Sequence, residues 1–194
     1  AGLACGLPSE PRIPNTPPSL EDTAIRYQGR FLRLIERDGW EYIERTNASA
    51  VAVVVAVTDD DHWILIEQHR LPLGQAVIEM PAGLVADIVG AEDEDAVEAA
   101  RRELLEETGY AAAEISFLTA GPPSAGQSTE IVSLYLATGL RRVGEGGGDE
   151  SEDIIVHHVP LDGADAWLAG KAAEGCAIDP KNYAGLYFAR RLRK

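Results

Sequence analysis

The chain has 194 residues, 45% of them hydrophobic, enough to fill the core of one domain of ordinary size. Its 32 acidic against 17 basic residues give a net charge of -15, which repels nucleic-acid backbones and anionic lipid and argues against either as a partner. Its longest apolar run, AVAVVVAV, is far short of the roughly 20 residues of a membrane span.

The first 20 residues lack the basic start and apolar core of a signal peptide, and their five prolines read as an extended arm or a disordered tail. Cys5 and Cys176 lie far apart without metal-ligand spacing, which fits free thiols in a reducing cytoplasm. From Arg30, FLRLIER and WEYIER read as a β-hairpin around Asp38-Gly39, a pair suited to the positive φ of a type I′ turn. Residues 50–58 are apolar and β-branched, as in a strand buried on both faces; Asp59 to Asp61 form a solvated turn into the strand HWILIEQHR.

Next come the segment VIEMPAGL, an acidic loop, and a helix predicted from about Asp95 to Thr108 with Val97, Ala100 and Leu104 as its buried stripe and Gly109 as its left-handed cap. Strands are expected near 115–119 and 130–137, flanking GPPSAGQST. The segment GEGGGDESED has no strand-turn-helix context for phosphate binding and reads as a flexible connection. Beyond it lie the strand IIVHHV and two short helices, near 163–173 and 179–191. His157 and His158 fall on opposite faces of their strand, so they cannot chelate one ion together. The mixed order of strands and helices gives an α/β layered domain without internal repeats.

The stretch RRELLEETGY concentrates charge of one sign. On a helix Glu103 neighbours both Glu106 and Glu107, which destabilises an isolated helix by a few tenths of a kcal/mol per pair, roughly. A divalent cation converts that repulsion into coordination, and carboxylates without His or Cys favour Mg²⁺ or Mn²⁺. By spacing alone, an exposed acidic helix face is the better explanation of the cluster, because such faces are common.

The wider pattern adds information. Glu94, seven intervening residues, then Arg102, Glu103, Leu104, Glu106, Glu107, Gly109 and Tyr110, with Gly83 upstream, resemble the Nudix box. One departure is that ten residues separate Gly83 from Glu94, where the box has five. The resemblance implies an α/β/α sandwich with a mixed sheet, preceded by a small N-terminal β-hairpin arm. It divides the chain into residues 1–47, the arm and a dimerisation element, and 48–194, the catalytic domain.

It also implies a hydrolase of nucleoside diphosphate derivatives that uses Mg²⁺ or Mn²⁺. By position, Glu103 and Glu107 become metal ligands, Glu106 a ligand or water-linked neighbour with a catalytic part, and the Ala82 carbonyl a backbone ligand. Arg102 orients the carboxylates. IEQHR and VIEMPAGL are similar to segments of the ADP-ribose pyrophosphatase branch, which makes Arg70 and Glu79 substrate contacts, with ordinary ion pairing the bland alternative. Glu130 matches an acid of that branch that acts as general base or metal ligand; a loop-capping role is the alternative. The hairpin resembles the sheet through which that branch dimerises, and Trp40 then stacks on an adenine or packs in the interface.

The leading expectation is Mg²⁺-dependent hydrolysis of ADP-ribose or a related nucleoside diphosphate sugar by a cytoplasmic homodimer acting on a small nucleotide. The alternatives are the same chemistry on NADH, dinucleoside polyphosphates or nucleoside triphosphates, and a non-catalytic nucleotide-binding module.

Overall fold

The computed structural model describes residues 23–86, 94–148 and 152–192. The proline-rich arm, Cys5 and most of the acidic loop lie outside the described residues.

The N-terminal element is a three-stranded antiparallel sheet where the sequence suggested a two-stranded hairpin: β1 (Thr23–Gln28), β2 (Leu32–Arg37) and β3 (Trp40–Arg45). Asp38 and Gly39 take φ of 50° and 77°, as the type I′ turn requires. The extra strand pairs along the far edge of β2, from Thr23 opposite Arg37 to Gln28 opposite Arg33.

The larger sheet has eight strands, and its centre is β4 (Ala50–Val57). Alternate residues of β4 serve two cores, which explains why its sequence is apolar throughout. Val53 and Val55 pack with Trp63, Leu65 and Ile78 under α2 (Ala164–Ala173) and α3 (Lys181–Arg191). Ala52, Val54 and Ala56 face α1 (Ala96–Thr108), whose Ala99, Ala100 and Leu104 are fully buried against them. Val97, expected in the buried stripe, is only partly buried; Ala99 takes its place, and small residues on both surfaces bring helix and sheet close. The result is the expected α/β/α sandwich.

The sheet forks at its middle. β4 and β5 (His62–Arg70) pair only where they leave their turn, at Ala56–Ile64 and Val57–Trp63, and then separate. The opening is filled by β6 (Gln75–Glu79) on the β5 side and β7 (Ala82–Val85) on the β4 side. VIEMPAGL is therefore two strands, broken at Met80-Pro81 because proline cannot donate to a ladder, and the Pro81 carbonyl instead accepts from Val54 N at 2.8 Å.

Beyond α1, β8 (Tyr110–Ala111) leads to β9 (Glu114–Gly121), which pairs antiparallel with β10 (Val132–Thr138), itself parallel to β4. β11 (Arg141–Arg142) pairs with β8, β12 (Ile154–Pro160) lies along β5, and β13 (Ala177–Ile178) extends β6. His157 and His158 do face opposite ways: one meets Glu67, the other the Tyr110 hydroxyl, each at 2.9 Å. No described helix is long and apolar enough to cross a membrane.

The glycine-rich segment corrects a reading. Residues 144–148 are not a loose tether: Gly147 N donates to Glu107 O at 2.9 Å and Gly148 N to Glu106 O at 3.1 Å, while Gly144 N reaches Gly109 O at 3.1 Å. These amides satisfy carbonyls that the end of α1 leaves open. Gly146 has φ of 73°, and a Cβ on it would run into the backbone of Thr108.

Candidate active site

The fork and α1 build the site together. Asp95 caps α1 by accepting from Val97 N and Glu98 N, both at 2.9 Å, and Gly109 closes it with φ of 74°. Between these caps the helix crosses β4 and β7 with Glu103 and Glu107 turned toward β7. Ala82 N donates to Glu107 Oε2 at 2.9 Å. At Gly83 the strand runs so close to the helix that a Cβ would overlap the Glu103 carboxyl. Glycine is needed there for space, since only a bare backbone admits that carboxylate.

Glu107 is 2% exposed. Burial first, and then the charges of Glu103 and Glu152, push its carboxyl up to about 9 against the opposing Ala82 hydrogen bond. Arg102 is the hub of the remaining acids. It pairs with Glu94 at 3.0 Å, Glu103 at 2.7 Å and Glu106 at 3.2 Å, and also donates to Leu84 O at 3.2 Å. Its hydrogen bonds hold the Glu94 carboxyl below the ordinary carboxylate range. The Glu106 side chain is half exposed.

Among the described residues, no three His, Cys, Asp or Glu side chains converge at ligating positions, because Glu103 and Glu106 are turned to the guanidinium. The donor set nevertheless fits a hard divalent cation. Its oxygens are carboxylates with a backbone carbonyl nearby, Gly83 leaves room against the strand, and Glu107 is a buried acid whose ionisation calls for positive charge.

These groups form one wall of a cleft of about 670 Å³. Three basic side chains also line it, each beside an acid: Arg70 with Glu79 at 2.7 Å, Arg45 with Glu130 at 3.3 Å, and Lys181 with Asp179. Arg70 and Glu79, singled out in the sequence, are thus partners of one another. Glu130 precedes β10 on a loop anchored to the N-terminal sheet, where Ile43 N donates to Gln127 O at 2.9 Å and Thr129 N to Ile43 O at 3.2 Å. Glu152 also lines the cleft.

Of the residues expected at the site, Ala82, Arg102, Glu103, Glu106, Arg70, Glu79 and Glu130 line this cleft, and Glu107 is buried beneath it. Trp40 does not join them within one chain. It is exposed and lines a separate groove of about 420 Å³ with Arg37, Tyr42 and residues of the 125–129 loop. The sequence reading passed over Arg45, Glu152 and Lys181. Arg45 ends a strand assigned to the arm, Glu152 sits in an acidic run, and Lys181 begins a helix remote from the box; none carries a local signal.

The family model of the NUDIX domain matches residues 48–174. The chain is 36% identical over 123 residues to the methanol dehydrogenase activator of Bacillus methanolicus, covering 63% of each protein. It is 40% identical over 116 residues to the ADP-ribose pyrophosphatase of Bacillus subtilis (strain 168), covering 59% of this chain and 60% of that one. The matches thus span somewhat under two thirds of these relatives' length. A crystal structure of an ADP compounds hydrolase superposes with a TM-score of 0.67 over 92% of this chain and 98% of that chain at 21% identity, the same fold. With the box glutamates seated on α1 and the family match covering most of the chain, this protein belongs to the NUDIX domain family.

Proposed function

We propose that the chain is a divalent-cation-dependent pyrophosphohydrolase that cleaves ADP-ribose, or a related nucleoside diphosphate sugar, to a nucleoside monophosphate and a sugar phosphate. The observation that carries the reading is that one cleft is lined both by acids of α1 and by the cations Arg45, Arg70 and Lys181. That pairing suits a diphosphate. The similarity to a protein named ADP-ribose pyrophosphatase supports the substrate class.

Glu103, Glu107 and the Ala82 carbonyl would hold Mg²⁺ or Mn²⁺, with Glu106 at the exposed margin. When bound, the ion supplies Lewis acidity and neutralises diphosphate charge. Arg102 keeps the acids in register, and Arg70, steadied by Glu79, presents its guanidinium to the anionic substrate. The attacking water gives its proton to a carboxylate at the cleft wall. Glu130 and Glu152 both line the cleft, and Glu152 is the one whose charge Glu107 feels. The setting proposed is a cytoplasmic homodimer, the partner chain meeting the N-terminal sheet at its exposed Ile25, Tyr27 and Trp40.

The test is a substrate panel of ADP-ribose, GDP-mannose, NADH, diadenosine polyphosphates and dNTPs with Mg²⁺, products being identified by mass spectrometry and Glu107→Gln serving as control. AMP plus ribose 5-phosphate, lost in the control, is the expected result. Inert ADP-ribose beside a compound that turns over would reassign the substrate, and the longer stretch between Gly83 and Glu94 is where such a change of selectivity would originate.

A further inference from the structure

Gln68 is an anomaly in its strand. Residues Trp63 to Ile66 of β5 are fully buried and apolar, and at 7% exposure Gln68 continues the buried face two residues beyond Ile66. Its Oε1 has no hydrogen-bond partner. Half of a buried amide is thus left unsatisfied where leucine or methionine would pack without that cost. The other half, Nε2, is directed at Glu152 Oε1 at 3.5 Å.

The opposite side of the Glu152 carboxylate lies against the glycine segment. A Cβ on Gly148 would collide with Glu152 Oε2 and crowd its Cβ, so a side chain at 148 would push the carboxylate away. The same segment is bonded to the end of α1, through Gly147 to the Glu107 carbonyl and through Gly148 to the Glu106 carbonyl. Glu152 is therefore bordered by β5, through Gln68, and by the hook, which is fixed to the backbone of the box glutamates.

We propose that Gln68 and the glycine hook Gly146–Gly148 form a positioning device for Glu152, holding its carboxylate in the cleft beside Glu107. The inference rests on the divalent-cation reading of that cleft and assigns it two parts outside the box. Gln68 acts through Glu152 and does not touch the substrate. The hook is fixed to the helix end by the Gly147 and Gly148 amides, and the missing side chain at Gly148 leaves the space in which the Glu152 carboxylate sits.

The experiment measures Mn²⁺ affinity of the full chain by electron paramagnetic resonance, together with the thermal midpoint. The proteins are wild type, Glu107→Gln, Gln68→Leu, Gly148→Ala, Glu152→Gln and the double variant Gln68→Leu/Glu152→Gln. Gln68→Leu is expected to weaken Mn²⁺ binding about tenfold, the scale of losing an outer partner of a metal site. In the Glu152→Gln background it is expected to change nothing further, because the residue through which it acts is already altered.

A merely structural role for Gln68 would weaken binding by the same factor in both backgrounds, and that additivity would overturn the proposal. So would wild-type affinity in Gln68→Leu. If Gly148→Ala does not fold, the Gln68 cycle still decides. Mn²⁺ affinity indifferent to Glu107→Gln would sink the cation reading itself, a result distinct from a Glu107-dependent site that ignores Gln68.

Discussion

Glu94 and Arg102 meet in a two-point ion pair, Nε to Oε1 at 3.0 Å and Nη2 to Oε2 at 3.2 Å, which ties the residue ahead of the helix cap to the body of α1. Both side chains are mostly buried, 12% and 21% exposed. Lysine would keep the charge but not the fork that spans Glu94, Glu103 and the Leu84 carbonyl. Arg102→Lys is expected to lower stability in urea by about 2 kcal/mol, as for a partly buried charge pair reduced to a single contact. An unchanged midpoint would mean that the pair serves only to orient the glutamates.

Gly83→Ala tests the closeness of strand and helix. The new Cβ would overlap the Glu103 carboxyl, the flexible end of a side chain, so the simplest relief is rotation of that carboxylate away from β7. Mn²⁺ affinity should fall by about tenfold while the thermal midpoint moves little. A large loss of stability with unaltered metal binding would show instead that the backbone yields.

Glu130 is engaged by Arg45 at 3.3 Å, and this arrangement predicts a divided outcome. If Glu130 is the general base, Glu130→Gln lowers kcat by about 100-fold or more and leaves KM near wild type. Unchanged turnover with saturating Mg²⁺ removes it from the mechanism and leaves Glu152, whose own Glu152→Gln variant then carries the loss.

What the sequence disclosed was local. The caps of α1 are set by Asp95 and Gly109, neighbours of the helix, and the predicted span from Asp95 to Thr108 differs from the observed Ala96–Thr108 by one residue. The Asp38-Gly39 turn was legible for the same reason. Glu103, Glu106 and Glu107 stood out because helical spacing is short-range, and the box pattern pointed to the family. By contrast, the hook at 144–148 works through backbone amides of glycine, which have no side chain to advertise a contact, and so it read as a linker. Pairs such as Gln68 with Glu152, 84 residues apart, and Arg45 with Glu130, 85 apart, depend on the fork and on β3 anchoring the 127–129 loop. No periodicity encodes these.

On the α2 side of the sheet, Glu67 Oε2 accepts from Lys171 Nζ and from His157 Nε2, each at 2.9 Å. The Lys171 hydrogen bond, reinforced by His157, holds the Glu67 carboxyl below its ordinary 4.5, while Glu67 raises the Lys171 ammonium above 10.5. For Glu67 the stabilisation is complete above the ordinary value and is lost as pH falls through the lowered folded value. For Lys171 it is complete below the ordinary value and is lost as pH rises through the raised one. The stability difference between wild type and Glu67→Gln is therefore expected to be flat between these limits and to shrink at both extremes. Equal pH dependence in the two proteins, measured by urea midpoint, would mean that the bonds contribute nothing to folding.

The N-terminal sheet exposes Ile25, Tyr27, Phe31 and Trp40, with Tyr27 and Trp40 each 67% exposed, in a chain whose charge of -15 otherwise favours separation in solution. Large apolar side chains gathered on one small sheet cost free energy unless another surface covers them. A second copy is the occupant we propose, because an isologous contact places the same patch on both partners. Sedimentation equilibrium at micromolar concentration should return twice the 20.8 kDa chain mass, and Ile25→Lys with Tyr27→Lys should return one chain mass while the thermal midpoint of the larger domain persists. If Trp40 reaches a partner's cleft, its fluorescence in the dimer should respond to ADP-ribose and that response should vanish in the monomeric variant. A wild-type monomer would leave the exposed sheet without this partner and confine Trp40 to its own groove.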